Sequence, residues 1–571
     1  MNAPAKISRR CLPETFSFST WNDLEPFFHD LDERELTDEV SVKNWLGDLS
    51  ELEAFFWEDM AWRYIRMSTD TGNDERRKSY HFFINEIHPV SAPYFDRYNR
   101  KLVAAPASES LKRDRAYDIL LRNTKIAIDI FREENIALES EMATRAQEYG
   151  AIAGKMSIEY ESKEYTLPQA GVLLESTDQT QRQEVYQKIA ERRLEDKLTL
   201  DQLMDDLVAI RQKIAGNAGF ENYRDFKFSE LKRLDYTPAD CFQFHNSIEK
   251  VIVPLVEQIN GARRKALQLD TLRPYDLTVD FRGETPLRPF TDSDDLIEKG
   301  IEVMHRVHPF FGDCIRTMNK MGHLDLDSRN GKAPGGYNYP LYESGFPFIF
   351  MNAAGTQNDL MTFVHEAGHA VHSVLTQELD LTVFKNCPSE VAELASMSME
   401  LISMQHWNVF YENPDDFKRA RLEQLERAVT SLTWIATIDC FQHWMYENPT
   451  HTKDERSEQW KQIYSRFHND LNWEGIELYR DNFWQKQLHL FEVPFYYIEY
   501  GISQLGAIAI YRNFTQNPQQ ALEQYIAALK LGNTRSIPEI YEAAGIRFDF
   551  SENYIRELAE FISSEIKGLH S

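Results

Sequence analysis

Apolar residues recur at three- and four-residue spacing among charges along most of the chain, the signature of helices that bury one face. Residues 49–67, 110–148, 180–218 and 239–266 carry this pattern most clearly, and turn signals such as Thr237-Pro238 and Asn413-Pro414 punctuate it. Strand-like alternation is sparse. Residues 156–167 alternate at Ile158, Tyr160, Tyr165 and Leu167 around the polar Glu161-Ser162-Lys163, which predicts a hairpin. Residues 277–281 predict another strand, and residues 346–352 a third, reached through Pro334-Gly335-Gly336-Tyr337. With no internal repeat and no long Pro/Gly/Ser linker, the pattern predicts a mainly α protein.

Composition narrows the class. The 571 residues are 42% hydrophobic and 27% charged, as in a globular protein large enough for two lobes. No stretch approaches the roughly 18–20 apolar residues that cross a bilayer. No apolar run follows Arg9 and Arg10 either, so neither a membrane partner nor a secretory leader is expected. Cys11, Cys241, Cys314, Cys387 and Cys440 are scattered singly, which argues against a disulfide framework and fits a reducing cytoplasm. A formal net charge of −28 argues against nucleic acid as a partner, since phosphate binding needs a basic surface.

Candidate chemistry enters at His365-Glu366-Ala367-Gly368-His369. Asn358-Asp359 is a plausible helix start, and histidines four apart then project from one side of the helix. Two such imidazoles bind one zinc ion, and Glu366 lies beside them as a base for water. The flanking Phe363, Val364, Ala370 and Val371 predict a buried helix, where paired histidines need a compensating partner. A catalytic site also wants a third protein ligand and an open position. A second helix starting at Pro388-Ser389 offers Glu390, Glu393 and Glu400 on one face, and spacing alone leaves Glu390 and Glu393 both open. Glu400 then serves to orient a ligand from behind. His372 continues the first helix's face, with an orienting or structural duty expected, because a fourth ligand would close the site. Near the C-terminus, His489 precedes Pro494-Phe495-Tyr496-Tyr497-Ile498-Glu499-Tyr500. Tyr497 and Tyr500, three apart, share a face and are candidate donors to a developing oxyanion. Residues 346–352 run directly into the HExxH helix. They read either as an edge that holds an extended peptide as an added strand or as an ordinary hairpin. On the first reading Gly335, Gly336, Phe348, Phe350 and Asn352 are candidate substrate contacts.

Taken together, the run His365–His372, the run Glu393–Glu400 and the segment His489–Tyr500 resemble the thimet-oligopeptidase and oligoendopeptidase F family of zinc metallopeptidases, on the oligoendopeptidase F side. Residues 335–337, 347–352 and 231–238 add to the resemblance, which covers residues 220–510 or so. It implies His365, His369 and Glu393 as ligands of one zinc ion per chain, and Glu366 as general base. It also implies a histidine and a tyrosine at the scissile carbonyl: His489, with Tyr500 preferred over Tyr497 and Tyr496 left to the core. The implied architecture is a two-lobed helical ellipsoid with a deep substrate channel and a small sheet beside the HExxH helix, as in zincins. We place the lobes at residues 1–200 and 201–571. The expected activity is cytoplasmic hydrolysis of internal bonds in short peptides. An exopeptidase is the first alternative, with Arg512 as a conceivable anchor for a terminal carboxylate, and a silent peptide-binding protein is the second. A structural zinc site would need cysteine, and Cys387 is the one candidate near the second helix.

Overall fold

The computed structural model describes residues 9–570 apart from Phe281, Asn330 and Pro334. Helices dominate, interrupted by one two-stranded and one three-stranded sheet. Two large apolar cores organise them, beside a small third one that joins Ala61 and Ile65 to Leu341, Phe348 and Phe350. The smaller of the two large ones joins residues from Leu12 to Leu121 with Leu381 and Phe384, and the larger runs from Ala146 to Ile566. The cores therefore divide between Leu121 and Ala146, ahead of the boundary expected at residue 200. Tyr149, Val185 and Tyr186, on helices Asn135–Ala153 and Gln179–Glu195, belong to the larger one. Beside the smaller core lies a cavity of about 440 Å³ lined by Leu49, Trp57 and Met60 together with Lys232, Tyr342 and Asn386. It shares Pro340, Tyr342 and Asn386 with a cavity of about 370 Å³ over the HExxH helix. The expected helical body split by a channel is what the chain builds.

Periodicity marked the helices better than their ends. Residues 110–148 form not one helix but parts of three, because Asp114 accepts a hydrogen bond from Ala116 N at 3.0 Å and starts a new helix at Arg115. The predicted hairpin is present as β1 (Ser157–Tyr160) and β2 (Lys163–Thr166). Glu161 and Ser162 between them both adopt positive φ, as a tight two-residue turn requires. Residues 277–280 form no strand, and Phe281 lies outside the described residues. There the Val279 carbonyl accepts from Arg263 Nη1 at 2.7 Å instead of from a neighbouring strand.

The second sheet comprises β3 (Leu324–Asp327), β4 (Tyr337–Tyr339) and β5 (Phe348–Ala353) in the order β3-β5-β4. β5 is central, parallel to β3 and antiparallel to β4. It leads through Gly355 into the metal helix, Gln357–Leu375. That helix begins two residues earlier than Asn358-Asp359 suggested. Thr356 is the N-cap, and Asp359 is the far half of a capping box, with Thr356 N donating to its Oδ2 at 2.9 Å.

The glutamate helix, Ser389–Ser403, packs between the metal helix and the tyrosine helix, Tyr497–Gln516. Gly368 permits the closest approach. An added Cβ there would lie 2.6 Å from Ser396 Cα and 2.9 Å from the Ala395 carbonyl. Both obstacles are backbone, so the helices would have to separate. Gly368→Ala is expected to destabilise the fold by about 1–3 kcal/mol, measured by denaturant unfolding. Unchanged stability would mean that this contact is not needed.

Candidate metal centre

The metal helix presents His365 and His369 to the side where the glutamate helix presents Glu393. His365 Nε2 lies 3.3 Å and His369 Nε2 3.7 Å from Glu393 Oε2, and the three donor atoms fall within 4.8 Å of one another. Two ligands about 2.0–2.1 Å from a tetrahedral zinc ion stand roughly 3.3–3.4 Å apart, so the donor set has the dimensions of a single metal site. The imidazole planes are nearly perpendicular, at 84°. Behind them, Glu400 Oε1 sits 2.7 Å from His365 Nδ1, while its other oxygen accepts from Gln424 Nε2 at 2.8 Å. This leaves His365 Nε2 for the metal and orients the ring. Glu390 is not part of the set: it accepts from the Tyr236 hydroxyl at 2.6 Å.

The electrostatics fit a cation. Burial favours the protonated form of Glu393, yet the two imidazoles and the Tyr496 hydroxyl hold its carboxyl down to about 2. Against the effect of burial, Glu393 and Glu400 draw His365 well above the ordinary histidine range. Burial pushes His369 down to about 4, which keeps it in the neutral, ligating form. Glu366 is pushed up to about 7 by burial, and its Oε2 is enclosed without a hydrogen-bond partner. A buried carboxylate oxygen without a partner beside three convergent donors marks a place for a reactant.

The cavity over these residues is lined also by Gly336, Asn338, Tyr342, Lys385, Tyr496 and Tyr500. Tyr496 donates to Glu393 Oε1 at 2.7 Å, so it braces the third ligand. The Tyr500 hydroxyl lies 3.5 Å from His489 Nε2, and Gln487 Nε2 donates to His489 Nδ1 at 2.8 Å.

The model of "Peptidase family M3" matches residues 172–560, and that of the "Peptidase M3 N-terminal domain" matches residues 15–131. The chain belongs to peptidase family M3. It is accordingly an oligopeptide-hydrolysing metallopeptidase. Among relatives, group B oligopeptidase PepB of Streptococcus agalactiae is 24% identical over 425 residues, covering 70% of this chain and 66% of that protein. An oligoendopeptidase F homologue of Borreliella burgdorferi is 23% identical over 495 residues, 82% of this chain and 81% of that one. PZ peptidase A, solved with an inhibitor, superposes with a TM-score of 0.91 at 25% identity, over 97% of this chain and 99% of that one.

Several expected residues of this M3 peptidase lie elsewhere than sequence suggested. Tyr496, assigned to the core, faces the cavity, whereas Tyr497 is not part of its lining. Burial and the neighbouring Trp434 and Gln487 act on the Tyr497 hydroxyl. His489 stands behind Tyr500 and outside the lining. Phe348 and Phe350 are buried in a central strand, so they offer no edge. Asn352 donates to the Ala333 and Gly335 carbonyls at 2.8 and 2.9 Å and shapes the glycine loop. Of the five candidate substrate contacts only Gly336 lines the cavity, and the strand beside the metal helix with an unpaired edge is β4. His372 reaches Cys387 Sγ at 3.8 Å, and neither belongs to the donor set. Lys385, the last residue of the short helix Thr382–Lys385, and Asn386 after it were missed; no motif distinguishes them, and only the fold brings that segment to the cavity. Replacing Glu400 by Gln is expected to weaken metal binding about 10–100-fold in chelator competition, because His365 loses its orienting carboxylate. Parental affinity would show that Glu400 has no such part.

Proposed function

We propose that this M3 peptidase is a zinc-dependent oligoendopeptidase holding one zinc ion on His365, His369 and Glu393. The observation that carries the reading is the three-donor set with Glu366 unpartnered beside it in a cavity open to the channel. Bound there, zinc supplies a Lewis acid that acidifies water and polarises the scissile carbonyl. Glu366 takes the proton from the attacking water and delivers it to the leaving amine. Tyr500 donates to the oxyanion, and His489 holds the Tyr500 hydroxyl in place. Tyr496 and Glu400 keep the ligands oriented. An extended peptide lies along the free edge of β4, where main-chain pairing recognises any sequence and the channel admits an unfolded chain.

Exopeptidase action needs a cation at the cavity to fix a terminal carboxylate. Arg512 is not that cation, since it pairs with Glu557 at 3.8 Å and does not line the cavity, whereas Lys385 does line it and is the group an exopeptidase would use. A peptide blocked at both ends and offered at the same concentration as its free form should be cut at the same internal bond, as read by mass spectrometry. Failure to cut the blocked form would transfer the assignment to an exopeptidase. Among the described residues no helix is long and apolar enough to cross a membrane. The five cysteines are free thiols, which supports our reading of a reducing, cytoplasmic setting.

A further inference from the structure

A second group of metal-binding side chains is enclosed between the helix Pro238–Ser247 and the long helix Pro414–Glu447. Cys241 and His245 are four apart on the first helix, and Asp439 and His443 four apart on the second, so each pair projects from one face. Donor atoms of Cys241, Asp439 and His443 lie within 4.8 Å of one another, and all three residues are buried. His443 Nε2 is 3.4 Å from Asp439 Oδ2, close to the 3.3 Å between His365 Nε2 and Glu393 Oε2 in the catalytic centre.

The hydrogen bonding is incomplete in a way a metal would complete. His245 Nε2 lies 2.8 Å from Asp439 Oδ2 and accounts for that oxygen. Asp439 Oδ1 and both ring nitrogens of His443 are enclosed with no hydrogen-bond partner. Buried polar atoms are rarely left in that state. The rings of Phe228, Phe242 and Phe495 pack on His443 at 5.9, 4.9 and 5.4 Å. The pair of His245 and Asp439 leaves Asp439 Oδ1 and the Cys241 thiol unaccounted for, and gives His443 Nε2 no more than a 3.4 Å approach to Asp439 Oδ2.

We propose that Cys241, Asp439 and His443 bind a second divalent ion, zinc foremost, in a buried three-donor site separate from the catalytic one. A thiolate, an imidazole and a carboxylate form a donor set suited to zinc. His245 fixes the carboxylate, the part that Glu400 plays for His365. On binding, the Cys241 S–H bond is replaced by a sulfur–metal bond and the proton leaves to solvent. The ion would clamp the two helices where they support the tyrosine segment. Gln442, beside His443, accepts from Phe495 N at 2.5 Å, and Phe495, at φ 66°, immediately precedes Tyr496.

Cobalt separates the two sites, because only the second contains sulfur. The chain is stripped with chelator, reloaded with cobalt(II), and examined for metal content and for the near-ultraviolet thiolate-to-cobalt absorption. Two cobalt ions per chain with that absorption are expected. His369→Ala should keep the absorption while impairing the catalytic site, and Cys241→Ser should lose it together with one cobalt. A folded parent chain that takes up one cobalt and shows no thiolate absorption overturns the proposal. Absorption that survives in Cys241→Ser overturns it as well. If Cys241→Ser does not fold, as judged by circular dichroism, the parent spectrum and that of His369→Ala decide.

Discussion

Replacing Glu366 by Gln is expected to leave the bound zinc and the unfolding midpoint unchanged while kcat falls by about 10²–10⁴. The amide is nearly isosteric, and Glu366 is not one of the convergent donors, so nothing that holds the ion is removed. What disappears is the ability to accept a proton. The carboxyl is buried and its Oε2 satisfies no other group, so its cost in the fold is explained by work on a reactant. Metal analysis, unfolding and single-turnover kinetics on one preparation test this. Near-parental turnover would move the base elsewhere, and loss of the metal would mean that the carboxylate also supports the ligands.

The second large effect concerns the tyrosines. Tyr500→Phe is expected to lower kcat by about 10²–10³ with little change in KM, the loss typical of one oxyanion donor. Tyr497→Phe is expected to leave kcat at the parental level, since Tyr497 does not line the cavity. Tyr496→Phe should act differently again. Its hydroxyl is committed to Glu393 Oε1 at 2.7 Å, so the variant should lose metal affinity before it loses intrinsic rate. Saturating zinc would then restore Tyr496→Phe and not Tyr500→Phe. If Tyr497→Phe proved the damaging variant, the assignment would be reversed.

These expectations show where sequence reasoning stopped. Tyr497 and Tyr500, three apart, read as sharing a helical face, which leaves Tyr496 to the core, although Tyr496 and Tyr500, four apart, satisfy the same periodicity. In the structure the tyrosine helix begins only at Tyr497, with Tyr496 as its N-cap and Phe495 at positive φ. Tyr496 is nevertheless in helical conformation, at φ −70° and ψ −31°, and lies four residues before Tyr500, so the pair that shares the cavity face is Tyr496 and Tyr500. Strand β5 failed for a related reason. Its apolar residues and its junction with the metal helix were legible, but whether a strand is central or at an edge depends on partners distant in sequence. Those partners are β3 and the three-residue β4, both too short to announce themselves.

The sequence by itself determined the helical class and the hairpin at residues 157–166, and it put His365, Glu366 and His369 together on one helix. Short-range periodicity places residues four apart on one face whatever the rest of the chain does. It also narrowed the third ligand to a glutamate face. Spacing left Glu390 and Glu393 open and only the family resemblance pointed to Glu393; in the tertiary structure Glu393 closes the donor set, while Glu390 is spent on Tyr236. The tertiary structure likewise decided that Tyr496 and Tyr500 reach the cavity, that β4 is the free edge, and that Gly368 lets two helices touch. Each of these is a matter of helix against helix or strand beside strand. Such contacts are set by packing between segments far apart in the chain, and no local pattern encodes them.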